Sequence, residues 1–451
     1  MSQAETAYPL VAGGRALFAD GLKLLVGAAA LASFAVAFSL VLYRYPPPYL
    51  LVFAVGVGLL GTLAFVLARY ETAVALGFVL LSVVRVEPAP PDLVFAVVIT
   101  VALVTGRFDL RGARASVTFL IGAFLTLNLL SAVEALDGVR AATFLSITLY
   151  LAVFSLWLTN YVRSARLASL IVRGYVLGAV ASAGLSSLAL LVPIPGHELF
   201  TEIGRARGLF KDPNVFGPFL VPAALILIEE ILNPRLLRVG RLTKLIMFLA
   251  LSLGVLFSYS RAAWLNLGVG VIVLLVVLAL RRGGGRRALS AFALVLAAIV
   301  AVGAVVTFTG SVDFLQERAR VQTYDADRFG GQLASIELAE RYPFGIGPGQ
   351  FEEVVGIAAH NTYARALAEQ GLPGLMIVLA LLLVTFAAAG GNVIVGRDTY
   401  GIGSAALLAA WCGILANSVF IDTLHWRHLW VVAALIWAGS RRGRPAPAES
   451  S

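Results

Sequence analysis

Long apolar runs recur from one end of the chain to the other, and no other feature constrains its fold as strongly. The clearest runs lie at residues 22–43, 49–68, 116–133, 141–161, 168–193, 215–232, 262–280, 288–309, 372–390 and 402–420. A bilayer core about 30 Å thick needs about 20 apolar residues in each helical span. Because no long polar region separates these runs, a soluble domain held by a single anchor is excluded.

Shorter apolar runs at 72–84, 92–106, 245–259 and 430–439 are ambiguous by length alone, and charge decides how they are interpreted. If all of the runs cross, basic clusters such as Arg235–Lys244 fall on one side, as the positive-inside tendency requires. Omitting one span would place neighbouring clusters on opposite faces. The sequence therefore predicts an all-α polytopic membrane protein with about 12–14 transmembrane helices and both termini in the cytoplasm.

Composition excludes other classes of protein. Of the residues, 60% are hydrophobic and 13% charged, whereas a soluble surface needs charge at about a quarter of positions. The net charge of +9 resides mostly in short loops rather than in basic stripes interleaved with aromatic residues, so no nucleic-acid partner is expected. Cys412 is the single cysteine, so no intrachain disulfide forms.

The face opposite the basic clusters has two long loops within the single membrane domain, residues 1–451. One covers 195–214 and the other covers 311–371. The larger loop is predicted to be partly helical, with a short helix within 327–341 and a turn-rich stretch after it. A second helix follows, with Asn361 as N-cap and Gly371 as its end. Long loops of this kind are usually functional.

Arginines occur in or beside these loops although the outer face of a membrane protein is usually poor in them. They are Arg205, Arg207, Arg261, Arg318, Arg320, Arg328, Arg341 and Arg365. Pairing with loop acids accounts for Arg318, Arg320, Arg341 and Arg365. Arg261 has no acid nearby in sequence at the mouth of its span, which leaves two readings: snorkelling to the interface, or binding of a lipid-linked diphosphate by converging guanidinium groups.

The histidines give weaker signals. His360 stands just before the second loop helix and is able to exchange a proton near neutral pH, although loop histidines are often plain surface residues. His425 and His428 are three residues apart, a spacing that suggests a metal pair. No carboxylate or cysteine cluster accompanies them in the sequence, so neither a metal nor another cofactor is predicted.

Four segments carry a resemblance to a known family. They are RARGLFKDPNVFG (205–217), FSYSRAAW (257–264), DRFGGQLASIELAERYPFGIGPGQF (327–351) and AHNTYARALAEQGLPGL (359–375). In this order they resemble the O-antigen ligase and polymerase superfamily of bacterial membrane glycan transferases. The resemblance covers about residues 200–430, and the N-terminal spans match only in being hydrophobic.

The resemblance implies a glycosyltransferase that moves a glycan from undecaprenyl diphosphate to an acceptor on the periplasmic face of the inner membrane, without metal or nucleotide. The resemblance also implies that Arg205, Arg261 and Arg328 bind the diphosphate. It makes His360 catalytic, supported by Asn361. Arg207 is an additional arginine able to substitute for Arg205.

The resemblance does not decide between a ligase and a polymerase. We slightly favour the ligase, which would act in lipopolysaccharide biosynthesis. A ligase uses lipid A–core as acceptor, and an O-antigen or exopolysaccharide polymerase uses a second lipid-linked repeat. Because no paired-carboxylate arrangement is evident, direct attack by the acceptor with inversion is expected. The alternative from another class is a transporter or flippase for lipid-linked sugars, although charges expected at the bilayer midplane of a coupled transporter are scarce.

Overall fold

The computed structural model describes residues 49–109, 114–192, 194–281, 283–320 and 325–440. Several predictions made from the sequence lie outside the described residues. They concern the first span at 22–43, the two termini, and five members of the other basic clusters that were predicted to lie on the same side as Arg235–Lys244: Arg111, Arg282, Arg441, Arg442 and Arg444.

The described part of the chain is dominated by helices, and this confirms the all-α prediction. In chain order the α-helices are α1 Tyr49–Ala68, α2 Tyr70–Leu80, α3 Pro90–Val104, α4 Ala115–Ser131, α5 Gly138–Tyr161, α6 Ala165–Leu191, α7 Pro213–Leu232, α8 Arg241–Phe257, α9 Arg261–Leu280, α10 Gly285–Phe308, α11 Val312–Ala319, α12 Asp325–Arg341, α13 Phe351–Val355, α14 Thr362–Ile394, α15 Ser404–Asn417 and α16 Arg427–Gly439. Short 3₁₀ turns cover Ala132–Glu134 and His197–Leu199.

Among the described helices, seven are long and apolar enough to cross a bilayer on length and composition. They are α4 with the turn that follows it, α5, α6, α7, α9, α10 and α14. Helices α2, α3, α15 and α16 are apolar but shorter, and α8 has 17 residues. Four of these shorter helices coincide with the runs that were ambiguous by length. The chain is therefore a multi-pass membrane protein.

The chain divides into two compact units. One holds the described residues up to Val74 together with Leu93–Asp109, and the other holds Ala75–Asp92 and the described residues from 114 onwards. In the first unit, the Arg107 guanidinium carbon lies 5.2 Å from the centre of the Tyr70 ring. Every residue discussed below belongs to the second unit.

Helix α7 forms the core of the second unit. Its sequence is apolar on all sides, and nearly all of its residues are buried. Helices α9 and α15 pack closely because Gly413 has no side chain; a Cβ there would lie 2.6 Å from the Asn266 carbonyl oxygen. Helix α10 is equally apolar but largely exposed, with Phe292, Ile299 and other large side chains at its surface. Such a surface fits contact with lipid.

Four two-residue strands shape the loop between α6 and α7. Strand β1 (Val83–Val84) pairs in parallel with β4 (Leu209–Phe210). Strand β2 (Thr201–Glu202) pairs with β3 (Arg205–Ala206) in an antiparallel hairpin. Both turn residues have positive φ, 48° at Ile203 and 72° at Gly204, as a type I′ turn requires. The sequence did not predict this hairpin, because isoleucine rarely occupies such a position.

Helix α14 joins the large loop to a span. Asn361 caps it as predicted, since its side-chain oxygen accepts hydrogen bonds from the backbone N–H groups of Tyr363 and Ala364. Gly371 interrupts the helical backbone with φ 69° and ψ −172°, at the residue predicted to end the helix. The span follows from this kink without an intervening loop. A side chain at Gly371 would clash with Pro343, whose carbonyl oxygen would lie 2.0 Å from the Cβ.

Candidate functional site: an arginine-lined cavity

A polar cavity of about 270 Å³ opens where several loops meet at one end of the helices. Its lining residues are Arg205, Asn214, Tyr259, Ser260, Arg261, Ala262, Arg318, Phe420 and Ile421. Three arginines thus come together from segments far apart in sequence. Among the described residues that line the cavity there is no carboxylate. A cation-rich cavity of this kind favours an anionic ligand.

Arg205 is oriented from two sides. Strand β3 fixes its backbone, and its Nε donates to the Ser258 carbonyl oxygen at 2.9 Å. Its Nη2 donates to the side-chain oxygen of Asn214, also at 2.9 Å. Both acceptors are neutral oxygens, and these two bonds fix the plane of the guanidinium group. A guanidinium held in this way is preorganised for an anion.

Two helix N-termini reach the cavity. The Asp212 carboxylate caps α7 by accepting from the Asn214 N–H, and Pro213 occupies the first helical position. Ser260 caps α9 through a bond from the Ala263 N–H. At α9 the positive end of the helix dipole is therefore close to the site that the arginines line, whereas at α7 the Asp212 carboxylate offsets it.

The two helix starts come together because α7 carries a glycine at the crossing. A Cβ on Gly217 would lie 2.5 Å from the Ser258 hydroxyl and 2.7 Å from the Ala263 side chain. The turn that links α8 to α9 also holds Tyr259 at φ 48°, a conformation that costs a non-glycine residue about 1–3 kcal/mol. This strained turn places Ser260 and Arg261 at the cavity wall.

Arg261 is the first residue of α9, at the mouth of the span as the sequence predicted. Its Nη1 donates to the Arg320 carbonyl oxygen at 3.2 Å, which ties it to the segment after α11. The structure thus brings Arg205 and Arg261 to one cavity.

His360 is half-buried and directly precedes the residue that caps α14. The Asn361 side-chain amide donates to the Val419 carbonyl oxygen at 3.0 Å. The Thr362 N–H donates to the Ser418 carbonyl oxygen at 3.0 Å, and the Thr362 hydroxyl donates to that of Ile421 at 3.2 Å. These bonds join the start of α14 to residues 418–421, the turn whose Phe420 and Ile421 line the cavity.

Two other predicted diphosphate ligands have different surroundings. Arg207 lies outside the cavity lining: its Nη1 is 3.4 Å from a Glu202 carboxylate oxygen, and its Nη2 donates to the Glu198 carbonyl oxygen. Arg328 lies in the first turns of α12, and its side chain is outside the described part of the structure. Their assignment as diphosphate ligands stays a prediction.

A buried charge cluster lies beside the cavity and consists of Arg365, Glu369, Asp422 and His425. Arg365 donates to Glu369 at 3.1 Å and to Asp422 at 2.8 Å. His425 Nδ1 lies 3.0 Å from the same Asp422 oxygen. Burial would raise the pKa of Asp422, but the Arg365 guanidinium and the His425 hydrogen bond outweigh it and hold that pKa well below its usual range.

The sequence reading of Arg365 as a surface ion pair was therefore incomplete. Arg365 does pair with acids, but it is 7% exposed, and one of its two partners, Asp422, lies 57 residues away along the chain. The cluster attaches α14 to the loop 418–426, which includes the cavity residues Phe420 and Ile421. It therefore helps to position the cavity wall.

His425 and His428 do not face a common site. His425 contacts Asp422, with the Thr148 hydroxyl 3.4 Å from its other ring nitrogen. His428 is 2% exposed, with the Phe219 ring edge-on to it at 5.9 Å between ring centres and the Trp426 ring tilted against it at 4.9 Å. Among the described residues, no three His, Cys, Asp or Glu side chains gather as ligands of a metal ion would.

Sequence reasoning missed the cavity positions of Asn214, Arg318, Phe420 and Ile421. The Asp-Pro-Asn sequence at 212–214 is a helix-start signal and indicates where Asn214 lies, although not which way it points. Arg318 was assigned to surface pairing. Nothing in the sequence around Phe420 marks it.

A family model described as O-antigen ligase matches residues 246–379. The match includes Arg261, Arg318, the whole of the large loop and the His360–Asn361 pair. It begins after Arg205 and ends before Phe420, so part of the cavity lies beyond it. No curated protein matches the chain.

Proposed function

We propose that this chain, which belongs to the O-antigen ligase superfamily, transfers a glycan from undecaprenyl diphosphate to a hydroxyl acceptor at the periplasmic face of the bacterial inner membrane. One observation carries the proposal: Arg205 and Arg261, which are far apart in sequence, line one cavity at the mouth of a span. A lipid-linked diphosphate is an anion that two guanidinium groups are able to bind, and its lipid chain would remain in the bilayer while the sugar extends outwards.

The chemistry requires charge stabilisation at the leaving group. As the bond between the anomeric carbon and the diphosphate oxygen breaks, its electron pair passes to the diphosphate. Arg205 and Arg261 face this growing charge with fixed guanidinium groups, and the N-terminus of α9 adds its dipole. No step depends on a nucleotide, because the donor carries its own leaving group.

The second requirement is a base for the acceptor hydroxyl. His360 has the appropriate side chain, and Asn361 and Thr362 attach its segment to the turn that forms the cavity wall. As a neutral imidazole, His360 takes the proton while the acceptor oxygen bonds to the anomeric carbon. A single displacement of this kind inverts the anomeric centre.

Ligase and polymerase use the same donor and the same cavity, so they differ in the acceptor. We favour a ligase that transfers to lipid A–core. An O-antigen or exopolysaccharide polymerase, which transfers to a second lipid-linked repeat, is the alternative. Supplying each acceptor separately to one purified preparation separates the two.

The deciding experiment measures glycan transfer by purified protein in detergent with EDTA present, from an undecaprenyl-diphosphate donor. Wild type is compared with His360→Ala, and His197→Ala is the matched control because His197 is a half-exposed loop histidine paired only locally with Glu198. We expect transfer by wild type and His197→Ala, and a loss of about 10²–10⁴-fold in His360→Ala.

Three outcomes would count against parts of the proposal. Equal transfer by His360→Ala and wild type would remove His360 as the base but keep the enzyme. Activity that requires a divalent cation would overturn the metal-independent mechanism. Folded protein without transfer to either acceptor would favour a transporter or flippase of lipid-linked sugars.

A further inference from the structure

Arg140, in the first turn of α5, bonds to the large loop at three places. Its Nε donates to the Gly349 carbonyl oxygen at 2.6 Å, and its Nη1 donates to the Glu353 carboxylate at 2.9 Å. Its Nη2 donates to the Glu352 carboxylate. The three acceptors lie at least 209 residues further along the chain. One guanidinium group therefore attaches α13 and the turn before it to the start of a span.

A second attachment lies beside the first. The Gln350 side chain is completely buried, and its oxygen accepts a hydrogen bond from the Asp137 backbone N–H at 2.9 Å. Its amide nitrogen donates to the Asp137 carbonyl oxygen at 3.1 Å. Asp137 is also the N-cap of α5. The turn before α13 is thus fixed to the cap and to the first turn of the same helix.

The Phe144 ring, one turn further along α5, connects this attachment to the buried charge cluster. The guanidinium carbon of Arg140 lies 5.5 Å from the ring centre and that of Arg365 lies 4.7 Å from it, both at the distance of a cation–π contact. The His425 ring is edge-on to Phe144 at 5.1 Å between ring centres. Gly349 lies so close that a Cβ there would be 2.4 Å from the ring.

Helix α13 in turn supports the segment of His360. Phe351, the first residue of α13, is 1% exposed and shares an apolar cluster with Ala359 and Ala368. Ala359 directly precedes His360. The helix that Arg140 holds is therefore part of the surface against which the segment of His360 packs, and the Asn361 amide attaches the same segment to the cavity wall.

We propose that Arg140 and Phe144 hold the large loop on α5 and thereby position His360 for proton transfer. The inference rests on the proposed function, in which His360 is the base. Arg140 lies outside the cavity lining, so it acts through His360 as a positioning residue. Such a role is able to control turnover, because a displacement of about 1 Å at a reacting group can cost about 100-fold in rate.

The first test measures glycan transfer by Arg140→Ala, Arg140→Lys and Arg341→Ala. We expect Arg140→Ala to lower kcat about 10-fold and to change KM by less than about 2-fold, because donor binding is left intact. Arg140→Lys should recover part of the loss, since an ammonium group still pairs with the carboxylates but lacks the fork that also reaches Gly349. Arg341 is the matched control, an exposed arginine of the same loop whose guanidinium packs on Tyr342.

The second test distinguishes positioning of His360 from a general effect on the fold. Arg140→Ala is combined with His360→Ala, and a radiolabelled donor keeps the slow variants measurable. If Arg140 acts through His360, the double variant should transfer glycan at the rate of His360→Ala alone. A general defect would lower that rate by a further factor of about 10, because independent effects multiply.

The third test measures attachment of the loop without turnover. A glutamate-specific protease cleaves after Glu352 and Glu353, which Arg140 holds in the folded protein. Arg140→Ala should be cleaved there several-fold faster than wild type or Arg341→Ala, because local opening exposes the backbone. Phe144→Leu, which keeps an apolar side chain but loses the ring, should show part of this effect and part of the loss in kcat. Thermal unfolding establishes that each variant is folded, and Arg140→Gln replaces Arg140→Ala if the alanine variant fails this check.

The outcomes separate this inference from the proposed function. If Arg140→Ala is cleaved faster but transfers glycan as wild type does, Arg140 holds the loop without positioning His360, and the inference is wrong. Losses that multiply in the double variant would contradict it as well, since Arg140 would then act on the fold. If folded wild type transfers no glycan, the proposed function has failed, and the role of Arg140 is limited to the attachment that the protease measures.

Discussion

Arginine serves two different purposes in neighbouring regions of this molecule. In the cavity, Arg205 donates to a carbonyl and an amide oxygen, and the described lining contains no acid. In the buried cluster, Arg365 bonds to two carboxylates, those of Glu369 and Asp422. The first set of bonds fixes the direction of a guanidinium group at a cavity wall, whereas the second joins a helix to a loop through a buried ion-pair network.

The difference teaches how to distinguish a binding arginine from an architectural one. Burial alone does not distinguish them, since a buried cation is expected in either case to have a partner. What differs is the position of the side chain: Arg205 lines a cavity, whereas Arg365 lies within an ion-pair network. Each prediction below tests one side of this contrast, from the largest expected effect to the smallest.

If the Arg365 cluster stabilises the fold, changing Asp422 should lower the stability of the protein. Asp422→Asn leaves the buried Arg365 with one carboxylate instead of two, and breaking such a buried network costs about 3–5 kcal/mol. Chemical denaturation in detergent measures the free energy of unfolding. The control is Glu353→Gln, which breaks a more exposed bond to Arg140 and should cost about 1 kcal/mol or less.

A second measurement compares how the stability of wild type and of Asp422→Asn depends on pH. The folded-state pKa of Asp422 is lowered, so its contribution to stability is complete above the unfolded value of about 3.9 and disappears as the pH falls further. Wild type should therefore lose stability on acidification by more than Asp422→Asn does. Equal acid-side losses would mean that the carboxylate does not stabilise the fold.

The sequence predicted the fold class because hydrophobic run length is a local property, and the bilayer sets it. It also predicted Asn361 as a helix cap and Gly371 as a break, since capping and positive φ depend on nearby residues. That Arg318 lines the same cavity as Arg205 and Arg261 depends on three distant segments coming together, and their proximity exists only in the folded chain. The pairing of Arg365 with Asp422 was beyond sequence reasoning for the same reason.

If the cavity binds the donor, changing Arg205 should lower activity with little loss of stability. Arg205→Ala should lower kcat/KM about 10²–10³-fold, the effect of removing one preorganised donor to a developing anion. Arg207→Ala is the informative comparison, because Arg207 pairs with Glu202 outside the cavity and its removal should cost about 10-fold or less. Equal losses in the two variants would show that Arg207 shares the diphosphate site, and an unfolded Arg205→Ala would make Arg205 architectural.

Asn361 connects the two regions and carries the smallest prediction. Its oxygen caps α14, which begins with the turn that bears Arg365, and its amide nitrogen donates to Val419 at the edge of the cavity. Asn361→Ser keeps a capping oxygen but removes the amide donor, whereas Asn361→Ala removes both.

We expect Asn361→Ala to lose about 0.5–2 kcal/mol of stability and Asn361→Ser to lose very little, because serine is also a good N-cap. Both should transfer glycan about 2- to 10-fold more slowly, since each lacks the bond that attaches the segment of His360 to the cavity wall. Full activity in Asn361→Ser beside reduced stability in Asn361→Ala would assign Asn361 to the architecture alone. His360 would then depend for its position on Thr362 and its bonds to Ser418 and Ile421.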